Sequence, residues 1–166
     1  MTAASASAVP TSSSSNAFLA IFWGGLACGV LDITQACIAW GIQNHLPPMR
    51  IFQSVAAGLL GPESFKGGMK TAVLGGVLHF FIAFSWAAIY YIASRQLTFM
   101  VEKPIIYGLL YGEVVWLAMN FVVIPLSALH RWPRFDAASI ITGPIGHTVL
   151  VGLPIALSIR RWAPLK

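Results

Sequence analysis

Residues 17–42, AFLAIFWGGLACGVLDITQACIAWGI, carry a single charged side chain, Asp32. A helix of about 20 apolar residues crosses a bilayer core, so this run is long enough to span. Three further runs follow at about 71–93, 104–129 and 137–159. Only 9% of the chain is charged and its mean hydropathy is +0.77. Soluble domains carry about 25% charged residues, so there is too little charge here to cover a soluble surface. Four apolar runs do not fit inside one soluble domain of 166 residues, because surface grows too fast relative to volume in a small protein. The pattern predicts an all-α polytopic membrane protein with four spans.

The connections support that division. Residues 1–16, MTAASASAVPTSSSSN, are low in complexity and uncharged, and predict a disordered tail ahead of a four-helix domain over 17–166. Pro47-Pro48 stops the first span. Residues 49–60, MRIFQSVAAGLL, space Ile51, Phe52, Val55 and Leu59 helically but are too short to cross. They predict an interfacial or re-entrant helix between spans 1 and 2. The short link after Arg95 makes spans 2 and 3 antiparallel neighbours. Trp86, Tyr90 and Tyr91 fall where an interfacial aromatic belt belongs. Pro125 predicts a kink late in span 3, and Gly143-Pro144 with Gly152 and Pro154 interrupt span 4.

The net charge of +5 comes from basic residues flanking the spans, where they meet anionic headgroups. No basic cluster is interleaved with aromatics, so nucleic acid is not an expected partner. The basic residues divide evenly between the two sides, leaving orientation open. Cys28 and Cys37 point to different faces of one helix and act as small hydrophobes. Gly25-Leu-Ala-Cys28 lacks the leucine and basic leader of a lipoprotein signal, and no cleaved signal peptide is expected.

Small residues mark the expected packing faces: Gly25 and Gly29, Gly75 and Gly76, Gly108 and Gly112, Gly143 and Gly146. Such stripes let membrane helices approach closely, and they make a homo-oligomer conceivable. The polar residues stranded in the spans are Asp32, Gln35, His79, Glu113, Asn120 and His147. Each span holds one ionisable group near mid-depth. A carboxylate there costs about 2.5–3.5 kcal/mol unless it is partnered or protonated. Asp32 with His147 and Glu113 with His79 are natural pairs, although sequence does not choose the pairing.

Three readings of this polar core compete. It stabilises the bundle through interhelical hydrogen bonds; it relays protons or ions; or it serves a membrane-embedded enzyme acting on a lipid or quinone. A scaffold role for residues 43–70 is a further alternative. No Glu-x-x-His or His-x-x-x-His spacing appears, so no metal or other cofactor is expected. No nucleophile elbow or triad order appears, so no catalytic residue is assigned. The reading leans to a non-enzymatic protein.

Several short motifs recur in a familiar order: Gly25-Leu26, Gly29-Val30, Pro47-Pro48, His79, Gly108-Leu-Leu-Tyr-Gly112, Ile124-Pro125-Leu126, Gly146-His147 and Arg160-Arg161. In that order and spacing the chain resembles the YagU-like family of uncharacterised bacterial inner-membrane proteins. The resemblance implies a four-helix domain in the inner membrane with both termini cytoplasmic. It implies no established chemistry, although acid tolerance has been suggested for the family. The family pattern has small or apolar residues where Asp32 and Glu113 stand. The histidines are then family features, and the carboxylates belong to this branch.

Overall fold

Asn16 opens the first span by capping it: its side-chain oxygen accepts the Leu19 N–H at 3.1 Å. The computed structural model describes residues 16–133, 135 and 139–165. The expected tail up to residue 15, and residues 134 and 136–138 of the loop before span 4, lie outside the described residues. Four helices are long and apolar enough to cross a membrane: span 1 (Ala17–Asn44), span 2 (Gly68–Gln96), span 3 (Pro104–Leu126) and span 4 (Ser139–Trp162). Large apolar side chains such as Phe18, Ile42, Phe81, Ile92 and Leu126 remain exposed on the outside, as hydrocarbon solvent requires.

Helix ends follow local chemistry. Span 1 ends where His45 adopts a left-handed conformation (φ 52°) and the Leu46 N–H reaches back to the Trp40 carbonyl at 3.5 Å. Pro48 then supplies the first residue of a corner helix (Pro48–Leu60), where its missing N–H costs nothing. A 3₁₀ turn (Gly61–Lys66) leads into span 2. A one-turn helix (Phe99–Glu102) joins spans 2 and 3.

The prolines act differently from the expected breaks. Span 3 widens into a π-helical stretch at Met119–Val123, just before Pro125, and ends at Leu126 rather than 129. Span 4 runs on through Pro144 and Pro154, with a π-helical stretch at His147–Gly152. Proline lacks the N–H that would close the preceding turn, and a widened turn absorbs the mismatch without ending the helix.

The spans pack antiparallel in the spatial order 2–1–4–3. Spans 2 and 3 are antiparallel as expected, yet they meet mainly through side chains. Tyr111 of span 3 donates its hydroxyl to the Trp86 carbonyl at 2.7 Å, and Tyr90 stacks edge-on against Tyr111 at 4.8 Å. The aromatic belt expected at Trp86, Tyr90 and Tyr91 is therefore corrected. Tyr90 is fully buried and donates to the Met100 carbonyl at 3.0 Å; only Tyr91 lies under a terminal cation, Arg95. These rings turn inward because they fill the gap between two spans that do not touch closely.

Glycines set the close contacts. A Cβ on Gly112 would run into the His147–Thr148 backbone, and one on Gly108 would press on Ala156 and Leu153. Gly25 and Gly29 seat the rings of Phe84 and Phe80, Gly143 the Trp116 indole, and Gly146 the Gln35 amide. Gly75 admits the Phe52 carbonyl of the corner helix, while Gly76 makes only ordinary contact with the Phe52 ring. These faces are used within one chain, so they no longer argue for a homo-oligomer.

The corner helix is built into the bundle. Ile51, Ala56 and Ala57 are buried, and Phe52 and Val55 also face the bundle, so of the bulky stripe Leu59 is the residue left exposed. Gln53 is buried, donating to the Gly68 carbonyl at 3.0 Å and to Thr71 Oγ1 at 3.3 Å. Ser64 and Thr71 complete a network across the 3₁₀ turn. The far end of the corner helix meets span 3's exit, where the Ala128 N–H donates to the Gly58 carbonyl at 2.8 Å. It thus bridges spans 2 and 3 at the end where they diverge. The densest core, with Tyr90, Ile155, Ile159 and Ala163 fully buried, occupies the opposite end. There the Asn16 N–H donates to the Trp162 carbonyl at 2.8 Å, so both ends of the bundle lie on one side.

Candidate functional site

Between the dense end and the corner helix lies a cavity of about 160 Å³. Span 1 contributes Cys28, Gly29 and Asp32; span 2 contributes His79, Ala83 and Trp86; span 3 contributes Val115 and Met119; span 4 contributes His147 and Val151. Val55 of the corner helix also reaches the wall. Three of the four ionisable residues marked in the spans therefore share one cavity. At 1.5 Å rise per residue, each lies within about 5 Å of the middle of its helix.

The backbone selects the tautomer of both rings. His79 Nε2 lies 2.8 Å from the Gly29 carbonyl oxygen. A carbonyl only accepts, so Nε2 carries the hydrogen and Nδ1 keeps the lone pair of the neutral ring. His147 Nδ1 lies 3.1 Å from the Gly143 carbonyl, one turn back in its own helix. Nδ1 thus carries the hydrogen, and in the neutral ring Nε2 is left with a lone pair. That Nε2 faces Asp32 Oδ1 at 3.9 Å.

This distance is beyond hydrogen-bond range, and Asp32 accepts no hydrogen bond among the described residues. The carboxylate is about a quarter exposed, and His147 a little less. With His147 neutral, two acceptors face one another. With Nε2 protonated, they form an ion pair. The pair is therefore a place where a proton, or a donor group standing in for one, changes the energy most.

The remaining polar residues fall elsewhere. Glu113 does not meet His79. Its Oε2 accepts from Thr148 Oγ1 at 3.5 Å across the span 3–4 contact, and it does not line the cavity. The pairing of Glu113 with His79 is corrected accordingly: His79 turns toward span 1 because the Gly29 carbonyl offers a closer, better-aligned partner. Asn120 donates to the Trp116 carbonyl at 2.9 Å in its own helix, within the widened turn. Gln35 covers Gly146 and lines a separate apolar groove on the outer face of spans 1 and 4.

Sequence reasoning missed Cys28 and Val55 as wall residues. Cys28 reads as packing, and nothing in the pattern of residues 49–60 places Val55 beside His79. It also missed the Gln53–Ser64–Thr71 network, for which polar residues interrupting an apolar helix next to a glycine pair were the available signal. Among the described residues, no group of three or more His, Cys, Asp or Glu is placed to hold a metal ion. The wall therefore offers one carboxylate and two imidazoles in an apolar shell, a set suited to binding a proton or a small hydrogen-bond donor. Compared with known proteins, the chain matches no family model, no curated protein and no solved structure.

Proposed function

We propose that this multi-pass membrane protein is non-enzymatic and relays protons or small cations through the Asp32–His147 pair. The single observation that carries the reading is the mid-depth carboxylate facing an imidazole lone pair at 3.9 Å, with no hydrogen bond of its own. Residues that only fasten helices together make short interhelical hydrogen bonds, as Ser158 does to the Ala20 carbonyl at 2.8 Å. Asp32 makes none among the described residues, and it attracts His147 across the span 1–4 contact only when that ring carries the extra proton. His79 lines the same cavity and supplies a second site for the proton. An enzyme acting on a lipid or quinone fits less well. Cys28, the thiol in the wall, points at the Gly25 carbonyl and at neither histidine, so no nucleophile–base pair is assembled there among the described residues.

Residence in a bacterial inner membrane, with both termini in the cytoplasm, is proposed with the YagU-like resemblance and rests on it. The test is proton flux into liposomes carrying the purified protein and a pH-sensitive dye, under an imposed gradient. Asp32→Asn is expected to lower the flux at least about tenfold while leaving thermal unfolding in detergent cooperative. Glu113→Gln, outside the cavity, is expected to leave it unchanged. Flux no greater than in protein-free liposomes, or flux undiminished in Asp32→Asn, would overturn the proposal.

A further inference from the structure

The same cavity says more about its occupant, granted the reading above that Asp32 and His147 form the working site. The groups at the centre of its polar wall are acceptors. Asp32 presents a carboxylate. The hydrogen of His147 Nδ1 is taken by the Gly143 carbonyl and that of His79 Nε2 by the Gly29 carbonyl. Among the described residues no side-chain hydroxyl, amide or guanidinium lines the cavity, and its other polar groups are the Trp86 indole N–H, a single donor, and the Cys28 thiol. The Cys28 thiol points at the Gly25 carbonyl, 3.4 Å away. An anion, or a neutral acceptor such as a carbonyl compound, would meet lone pairs at Asp32 and at the neutral His147 ring.

The 3.9 Å separation of Asp32 Oδ1 and His147 Nε2 suits a donor that gives one hydrogen to each. The rest of the wall is apolar, with Gly29, Val55, Ile82, Ala83, Val115 and Val151. A bare proton or metal ion needs no such shell, whereas a short hydrocarbon chain does. The volume of about 160 Å³ matches a body of about six non-hydrogen atoms. We infer that the cavity binds a small primary ammonium ion. Its N–H groups donate to Asp32 and His147, and its short alkyl chain lies against Val55, Ala83 and Val115.

The experiment is thermal unfolding of the intact protein in detergent with n-butylammonium as the probe. A saturable rise in melting temperature is expected, about 5 °C or more at a hundredfold excess over Kd. Tetramethylammonium, which has charge but no N–H, is expected to give none; nor are butyrate and 1-butanol. Asp32→Asn should abolish the rise. Val55→Phe fills the apolar end from outside the polar pair. It should abolish the butylammonium response while sparing the smaller response to ammonium itself.

No butylammonium response in the wild type, or equal responses to butanol, butyrate or tetramethylammonium, would overturn the inference. If Asp32→Asn does not fold, the ligand series and Val55→Phe still decide it. A wild type that moves protons but ignores butylammonium overturns this inference alone. One that responds to butylammonium but moves no protons overturns only the relay.

Discussion

The contact between spans 3 and 4 can be tested with one methyl group. A Cβ built on Gly112 would stand 2.6 Å from Thr148 Cα and 2.8 Å from the His147 carbonyl carbon, where 3.4–4 Å is ordinary contact. The obstructing atoms are backbone, so no rotamer change relieves them, and the spans must part by about 1 Å. A gap of 0.5–1 Å forfeits about a quarter to a half of each dispersion contact along the seam. Overpacking of this kind costs about 1–3 kcal/mol, and the rigid neighbour places Gly112→Ala near 3 kcal/mol.

Gly76→Ala is the matched control. Its nearest obstacle is the Phe52 ring at 3.6 Å, so nothing must move. Alanine also favours a helix over glycine by about 1 kcal/mol, so this variant should be neutral or slightly stabilised. For a chain of this size 1 kcal/mol shifts the melting temperature by about 2–4 °C. Thermal unfolding in detergent should therefore show Gly112→Ala lowered by about 6–12 °C, with Gly76→Ala at or above the wild type. Equal melting temperatures for the two variants would refute the close-packing argument. Because His147 sits at the collision, Gly112→Ala should also reduce proton flux, which Gly76→Ala should not.

Other outcomes follow from single contacts. Tyr111→Phe removes the hydroxyl bond to the Trp86 carbonyl that ties spans 2 and 3, and should cost about 1 kcal/mol by equilibrium unfolding. Gln53→Ala should cost about 2–3 kcal/mol, because it empties a buried site and removes the side-chain bonds to the Gly68 carbonyl and Thr71 Oγ1; proteolysis should then cut first near residues 61–68. A membrane-permeant maleimide should label Cys37, which is partly accessible, well before Cys28, which is buried; labelling rates of the single-cysteine variants Cys28→Ala and Cys37→Ala read the order.

The membrane class, the four spans and the depth of the ionisable groups were legible from the residues alone. Hydropathy and length act through the solvent, one helix at a time, and need no knowledge of neighbours. The close approaches at Gly108 and Gly112 were legible in part, since only a missing side chain allows two backbones to meet. Which helices meet was a matter for the tertiary structure. Depth along a helix does not reveal azimuth relative to a partner, so Asp32 facing His147 and Glu113 facing Thr148 had to await the packing order 2–1–4–3. The inward turn of Tyr90 and the seat of Val55 in the cavity wall likewise depend on a gap that exists only once spans 2 and 3 stand apart. The sequence by itself determined the solvent, the number of crossings and the stock of polar groups. Only the fold decided which of those groups share a cavity, because partnership depends on distances between helices that no local pattern encodes.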